Sequence, residues 1–437
     1  MRVEVDQPKC VASGQCVLVA PQVFDQDDEG IVQLLDATPG PELDEDVRES
    51  AAETLRRAGY DGSLTLVGGE PHPPYDRPPL SKQVLTGAWE PERVHLRRPA
   101  DLDALALDLR LGVPAAALAP ATRTVTLADG TSLTYDGLII ATGVRPRRLP
   151  ECDTPGVHVL RELGDALALR ERLTAGSRLV VVGAGFLGAE VAAAARTLGA
   201  TVTLVEPAPV PLAHAVGQQG GAHLAQVHRD HGVDLRTGTK VAGITTGAGR
   251  ATGVLLSDGS TIPADDVLIA VGSEPNTDWL EDSGLRLADG VVCDRYSAAA
   301  PGIYAAGDVA RWHNPLFGTD MRVEHRTNAA EQGMAAARNL LAPEQAKPFA
   351  PVPSFWSDQY DLRIQAFGHL RDHDEARVVE GDPADGGFLV AYRRGTALTG
   401  ALAVGMPPRV LRPWRAALAA GTDWSRALDG PPEADQT

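Results

Sequence analysis

The clearest run of hydrophobic and polar positions lies in the middle of the chain. Residues 178–206 read "RLVVVGAGFLGAEVAAAARTLGATVTLVE". The opening "RLVVV" is continuously apolar and β-branched, which predicts a central parallel strand buried on both faces. An alanine-rich helical stretch follows, then a second strand, "TVTLV", ending on Glu206. An earlier stretch, "AAETLRRAGYDGSLTLVGGE" (51–70), carries only the later part of that pattern. A helix-forming run ends at Gly59, Asp61 and Gly62 make a turn, and "SLTLV" runs out to the acidic Glu70.

Between the first strand and the helix of the middle unit stand Gly183, Gly185 and Gly188, spaced G-x-G-x-x-G. Glycines there permit a tight turn and a close approach of the backbone to a pyrophosphate at the helix N-terminus. Glu206 follows Gly185 by 21 residues, the place of the carboxylate that takes ribose hydroxyls. Pro207 and Ala208 come next with no arginine, so NADH is expected over NADPH. The match is short, and the chain holds 45 glycines, but strand, loop, helix, strand and acid occur in the required order.

The plan occurs twice. "LIIATGVRPR" (138–147) is similar to "LIAVGSEPN" (268–276), and "VTLADGTSLTYDGLII" to "VLLSDGSTIPADDVLI". Setting Gly59 opposite Gly199, an offset of 140, places Leu43, Glu45 and Arg48 where Gly183, Gly185 and Gly188 stand in the other copy. The local sequence is "PELDEDVRES", with Glu42, Asp44, Glu45 and Asp46 where amide groups should meet a phosphate. The first glycine loop and its strand are therefore absent. A loop of that kind donates roughly two to four backbone N–H bonds, each about 1.5–3 kcal/mol to a charged acceptor. Its loss weakens binding on the order of 10³-fold. An N-terminal segment, "RVEVD" or "GIVQLL", is expected to slip into the vacant strand position.

Composition narrows the class. A chain of 437 residues has room for two or three domains. A net charge of −18 argues against nucleic acid or an anionic membrane as partner. No apolar stretch is long enough to span a bilayer, and "MRVEVDQPKC" has no signal core, so a cytoplasmic enzyme is expected. The four cysteines, Cys10, Cys16, Cys152 and Cys293, form neither a disulfide scaffold nor a C-x-x-C dithiol.

From residue 51 onward the sequence resembles the oxygenase-coupled NADH–ferredoxin reductases, the putidaredoxin reductase family. The resemblance rests on "PYDRPPLSK" (74–82), "IIATGVRPR", "GIYAAGDVA" (302–310), "EHRTNAAEQG" (324–333) and "FWSDQYDLRIQAFG" (355–368). It implies an α/β fold with two Rossmann-like domains, for FAD and NAD, and an α+β C-terminal domain. The expected division is 51–150 with 279–345 for FAD, 151–278 for NAD, 352–428 for the C-terminal domain and a disordered tail at 429–437. Implied flavin contacts are Glu70, Arg77, Lys82, Ala141, Thr142, Gly143, Arg145, Gly307, Asp308, Arg326 and Trp356. The family more often has an aromatic or apolar residue where Arg326 stands. Implied nicotinamide-nucleotide contacts are Gly183, Gly185, Phe186, Leu187, Gly188, Glu190, Glu206, Val271 and Gly272. Lys82 and Glu190 are the expected reactive pair, the cation favouring reduced flavin and helping hold Glu190 ionised. The reaction implied is hydride transfer from NADH to flavin and single electrons onward to an iron–sulfur ferredoxin. Arg409, Arg412 and Arg415 are candidates for docking that acidic partner.

Residues 1–50 resemble the start of a small three-iron bacterial ferredoxin, with Cys10 and Cys16 at the first and last positions of its cysteine loop. Two thiolates do not hold a cluster that takes three or four, so these are orphaned ligand positions and no metal site is expected. Three outcomes stay open: a working reductase with weakened FAD affinity, an inactive remnant that binds only NAD, and a fusion carrying its own cluster.

Overall fold

A computed structural model describes residues 24–26, 32–34 and 51–429. "RVEVD", Cys10, Cys16 and the acidic run 42–46 lie outside the described residues, as does the tail beyond 429. Val32–Leu34, within "GIVQLL", pairs antiparallel with Phe24–Gln26 in a sheet of two strands. That segment does not join the FAD-domain sheet, which corrects half of the expectation. A hairpin satisfies both short strands locally, whereas insertion between two distant edges would have to close a long loop first.

The middle unit folds as its pattern predicts. Five parallel strands stand in the order Val157–His158, Asp266–Ile269, Arg178–Val182, Thr201–Glu206, Asp234–Thr237. Arg178–Val182 is central, paired on both sides and buried from Leu179 to Val182. The helix Phe186–Thr197 packs on it through Val191, Ala192 and Ala195.

The first unit has the same plan with its centre missing. Leu64–Gly68 pairs parallel with Leu107–Leu111, and Leu138–Ile140 pairs parallel with Ile303–Ala305. These stay separate sheets, and among the described residues no strand joins Leu64–Gly68 to Leu138–Ile140. In the second unit the corresponding strands are the two that flank Arg178–Val182. The helix is cut as well. Ala51–Arg57 has 7 residues against 12 for Phe186–Thr197, and the offset of 140 lays it on 191–197, the last part of its counterpart. It is held by Arg326–Leu341, where Gly333 meets Ala51, and by Arg56, whose guanidinium bonds Tyr60, Gly62 and Leu105 carbonyls at 2.9, 2.7 and 2.9 Å.

Residues 354–404 form an antiparallel sheet ordered Ser354–Gln359, Leu362–Gly368, Ala397–Val404, Gly387–Arg394, Glu375–Asp382. The helix Arg412–Ala419 covers one face through Trp414 and Leu418. The other face packs on Val216 and Leu224 of the NAD-domain helix Ala213–Asp230. Two linkers between the nucleotide domains, Val144–Pro146 and Ser273–Pro275, pair antiparallel.

Candidate functional site

A cavity of about 2280 Å³ runs between the three domains. It exceeds a single-ligand pocket of roughly 300–1,000 Å³ because it spans both nucleotide clefts and the gap between Leu64–Gly68 and Leu138–Ile140 that no other described strand fills. Leu66 from one sheet edge and Leu138 and Ile140 from the other line it.

The glycine loop of the NAD domain has the geometry its spacing demands. Gly183 lies at φ +102°, and a Cβ there would collide with the Ala270 carbonyl. A Cβ on Gly188 would collide with the Gly183 carbonyl, so this glycine lets helix and strand close up. Gly185 faces open space in the cavity and starts the helix. Glu206 accepts Ala184 N–H and Ala208 N–H, each at 2.8 Å, which fixes its carboxylate beside the loop. Phe186, Leu187 and Gly272 also line the cavity, while Val271 does not and is 39 % exposed.

Lys82 and Glu190 come together from different domains, Lys82 Nζ standing 2.7 Å from Glu190 Oε2. Both are largely buried, at 13 % and 7 % side-chain exposure. Ser81 Oγ donates to the same oxygen at 2.6 Å, and Ser357 Oγ to Oε1 at 2.7 Å. The two serines stand inside the quoted motifs, yet nothing in their spacing singled them out. Trp356, on the strand that carries Ser357, lines the cavity.

Other expected flavin contacts are engaged within the protein. Glu70 accepts Arg77 Nη2 at 2.6 Å and the Tyr75 hydroxyl. Burial, with the Glu70 hydrogen bond next, pushes the Tyr75 phenol above its ordinary range. Asp308 accepts Arg161 Nη2 at 3.0 Å, and burial raises its carboxyl above the usual range while Arg161 opposes the rise. Arg161 stands in "HVLRELGDA", a segment with no recognisable signal. Ala141, Thr142, Gly143 and Gly307 line the cavity. Arg326 lines it too, tied to Asp76 at 3.0 Å.

One expectation is corrected. Arg145 is absent from the cavity wall and pairs with Asp278 at 3.0 Å and Glu274 at 3.5 Å, because it sits on the linker strand facing those acids. Arg415 packs over the Phe367 ring, half-buried, and burial lowers its pKa. One further buried group is His325, at the cavity wall. Its ring lies 4.9 Å from Phe355, its Nδ1 has no partner among the described residues, and burial lowers its pKa to about 4.

The two dinucleotide clefts fit their groups unequally. The NAD cleft has its complete loop, helix start and acid. Lys82, Gly307, Asp308 and Trp356, the residues expected at the flavin's ring and ribityl end, line the cavity. Among the described residues the FAD cleft has no cradle for the pyrophosphate. Cys152 and Cys293 are free and buried in separate cores, so the described residues contain no redox dithiol. Burial pushes the Cys293 thiol up to about 12.

Two dinucleotide-binding domains and a C-terminal sheet domain define the putidaredoxin reductase-like fold. Residues 49–333 match the pyridine nucleotide-disulphide oxidoreductase family, and the chain belongs to it. Residues 354–435 match the reductase C-terminal domain. Residues 5–54 match the 4Fe-4S single cluster domain of ferredoxin I, in place of the three-iron type expected. The first and third matches overlap at 49–54, at the start of the shortened helix Ala51–Arg57. Rhodocoxin reductase of Rhodococcus erythropolis is 38 % identical over 360 residues, 82 % of this chain and 84 % of that one. The anthranilate 1,2-dioxygenase system ferredoxin–NAD(+) reductase component of Burkholderia cepacia is 38 % identical over 342 residues, 78 % and 83 % of the two chains. The crystal structure of the covalent putidaredoxin reductase–putidaredoxin complex superposes with a TM-score of 0.81 at 33 % identity. It covers 87 % of this chain and 94 % of that one. The chain is thus an oxidoreductase of the ferredoxin–NAD(P)+ reductase group, and the family implies FAD and NAD.

Proposed function

We propose that the protein is an NADH-dependent ferredoxin reductase of an oxygenase system whose hold on FAD is weakened at the pyrophosphate. The observation that carries this reading is the Lys82–Glu190 pair, 2.7 Å apart, assembled from two domains between the NAD loop and Trp356. Flavin, when bound, supplies the step between two-electron nicotinamide and one-electron carriers. Everything else falls to the chain. Gly185 and the helix start at Phe186 receive the NADH pyrophosphate, and Glu206 takes the adenosine ribose and repels a 2′-phosphate. Lys82 places a cation at the ring end of the flavin cleft, where reduction builds negative charge. Glu190, between the NAD loop and Lys82, neutralises that cation through Oε2. The electron acceptor is an acidic iron–sulfur ferredoxin, as suggested by the relative crystallised with putidaredoxin. The stretch matching a 4Fe-4S domain brings Cys10 and Cys16 alone, two ligands where a cluster needs more.

The test is the visible spectrum of the chain titrated with FAD, followed by anaerobic NADH and then by a ferredoxin. A flavin band that saturates and bleaches supports the reading, and the bleached form should reduce the ferredoxin. No bound flavin at saturating FAD, with NADH still bound, makes the chain an NAD-binding remnant.

A further inference from the structure

Glu190 is held by more than its lysine. Its Oε2 takes Lys82 and Ser81 from the FAD domain, while its Oε1 takes, among the described residues, only Ser357, from the C-terminal sheet. Ser357 is fully buried. A hydroxyl has one hydrogen and two lone pairs, so a Ser357 that donates to the carboxylate is free to accept a bond that orients it. Gln359 Nε2 donates to its Oγ at 3.3 Å, and Gln359 is buried too. Alternate residues of a strand share a face. The third member of this face, Phe355, meets Phe186 edge-on with centroids 4.7 Å apart, at the first residue of the helix that carries Glu190. Beyond the strand, Tyr360 turns at φ 58°, bonds His228 Nδ1 at 3.0 Å and stacks on His231 at 3.7 Å. The strand thus meets the helix Phe186–Thr197 at Phe355, and the residue just past its end, Tyr360, meets the end of the helix Ala213–Asp230.

We infer that Ser357, oriented by Gln359, is a positioning residue that fixes the rotation of the Glu190 carboxylate. With Oε1 anchored to Ser357, Oε2 stays aimed at Lys82 and the carboxylate cannot turn into the nicotinamide site. The C-terminal domain then helps set the geometry for hydride transfer while touching neither reacting atom. This rests on the proposed role of Glu190.

The test uses the full chain loaded with FAD and mixed anaerobically with increasing NADH, which separates NADH affinity from the limiting rate of flavin reduction. Ser357→Ala should lower the limiting rate about tenfold with NADH affinity within about twofold. Ser357→Thr, which keeps the hydroxyl, should restore most of the rate. In the flavin-free chain, the losses of melting temperature from Ser357→Ala and Glu190→Gln should be non-additive, as for groups in contact. A Ser357→Ala chain reduced at the unmodified rate overturns the inference alone, as does a loss that threonine fails to restore. An unmodified chain that NADH does not reduce overturns the reading of the site, and the inference falls with it.

Discussion

The two nucleotide-binding halves follow one plan and differ most at the strand, loop and helix start that open it. In the NAD half, Arg178–Val182 pairs on both sides and delivers the glycine loop to the sheet edge. In the FAD half, the flanking strands Leu64–Gly68 and Leu138–Ile140 belong to separate sheets. The difference shows that recognition of a dinucleotide is divisible. The pyrophosphate is read by a strand, a loop and a helix start contiguous in sequence. The ring end, in the proposed reading, is read by scattered pieces: 74–82, 302–310 and the strand Ser354–Gln359. The first can be lost whole while the second still assembles.

The largest effect should come from repairing the deficient half with the protein's own parts. Residues 177–190 grafted directly before Ala51 place a strand and glycine loop in register, since 51 corresponds to 191. Two or more restored N–H bonds at about 1.5–3 kcal/mol each should tighten FAD binding on the order of 10³-fold, measured by flavin fluorescence. An unchanged affinity would mean that the ring end alone governs FAD binding and that the comparison is wrong. The converse change damages the intact half. Gly188→Ala drives a Cβ into the Gly183 carbonyl and should weaken NAD binding roughly 10²-fold, with FAD affinity unaltered. Titration calorimetry on the flavin-free chain checks it. Glu206→Gln is milder, because one acceptor oxygen still meets the loop. It should narrow the preference for NADH over NADPH about tenfold in a comparison of the two affinities.

Much of this was legible in the residues. The NAD unit announces itself by a continuous apolar run, three glycines and an acid, each fixed by backbone geometry. The sequence also places Leu43, Glu45 and Arg48, amid four carboxylates, where the counterpart has its three glycines, a stretch that lies outside the described residues. The Lys82–Glu190 pair followed from motif resemblance. What stayed hidden depends on tertiary meeting points without local pattern: Arg161 at Asp308, Ser357 at Glu190, and Arg145 turned to Asp278 on a linker strand. Those partners lie 147, 167 and 133 residues apart, and no periodicity encodes such pairings.

The smallest predicted effect asks whether the two halves share one stability. His228 packs under the C-terminal hairpin on the NAD side, and burial lowers its pKa from 6.5 to about 4, with the nearby His231 adding to the shift. His325 lies against the flavin cleft, its pKa also lowered to about 4 by burial, partly opposed by Glu324. A histidine kept neutral by the fold binds a proton more readily when unfolded. Its cost is therefore small above the unfolded value, grows as pH falls below 6.5, and levels off near 4. Between about pH 7 and 5.5 each should remove about 1 kcal/mol of stability, read as the melting temperature at each pH. His228→Gln keeps a polar partner for Tyr360 and removes its share of that slope, and His325→Gln does the same on the other side. If the halves unfold together, either substitution flattens the single transition. If the FAD half, with its divided sheet, melts first, His325→Gln alters only the early transition and His228→Gln only the late one. That result would show the missing strand to be a loss of cooperativity as well as of phosphate binding.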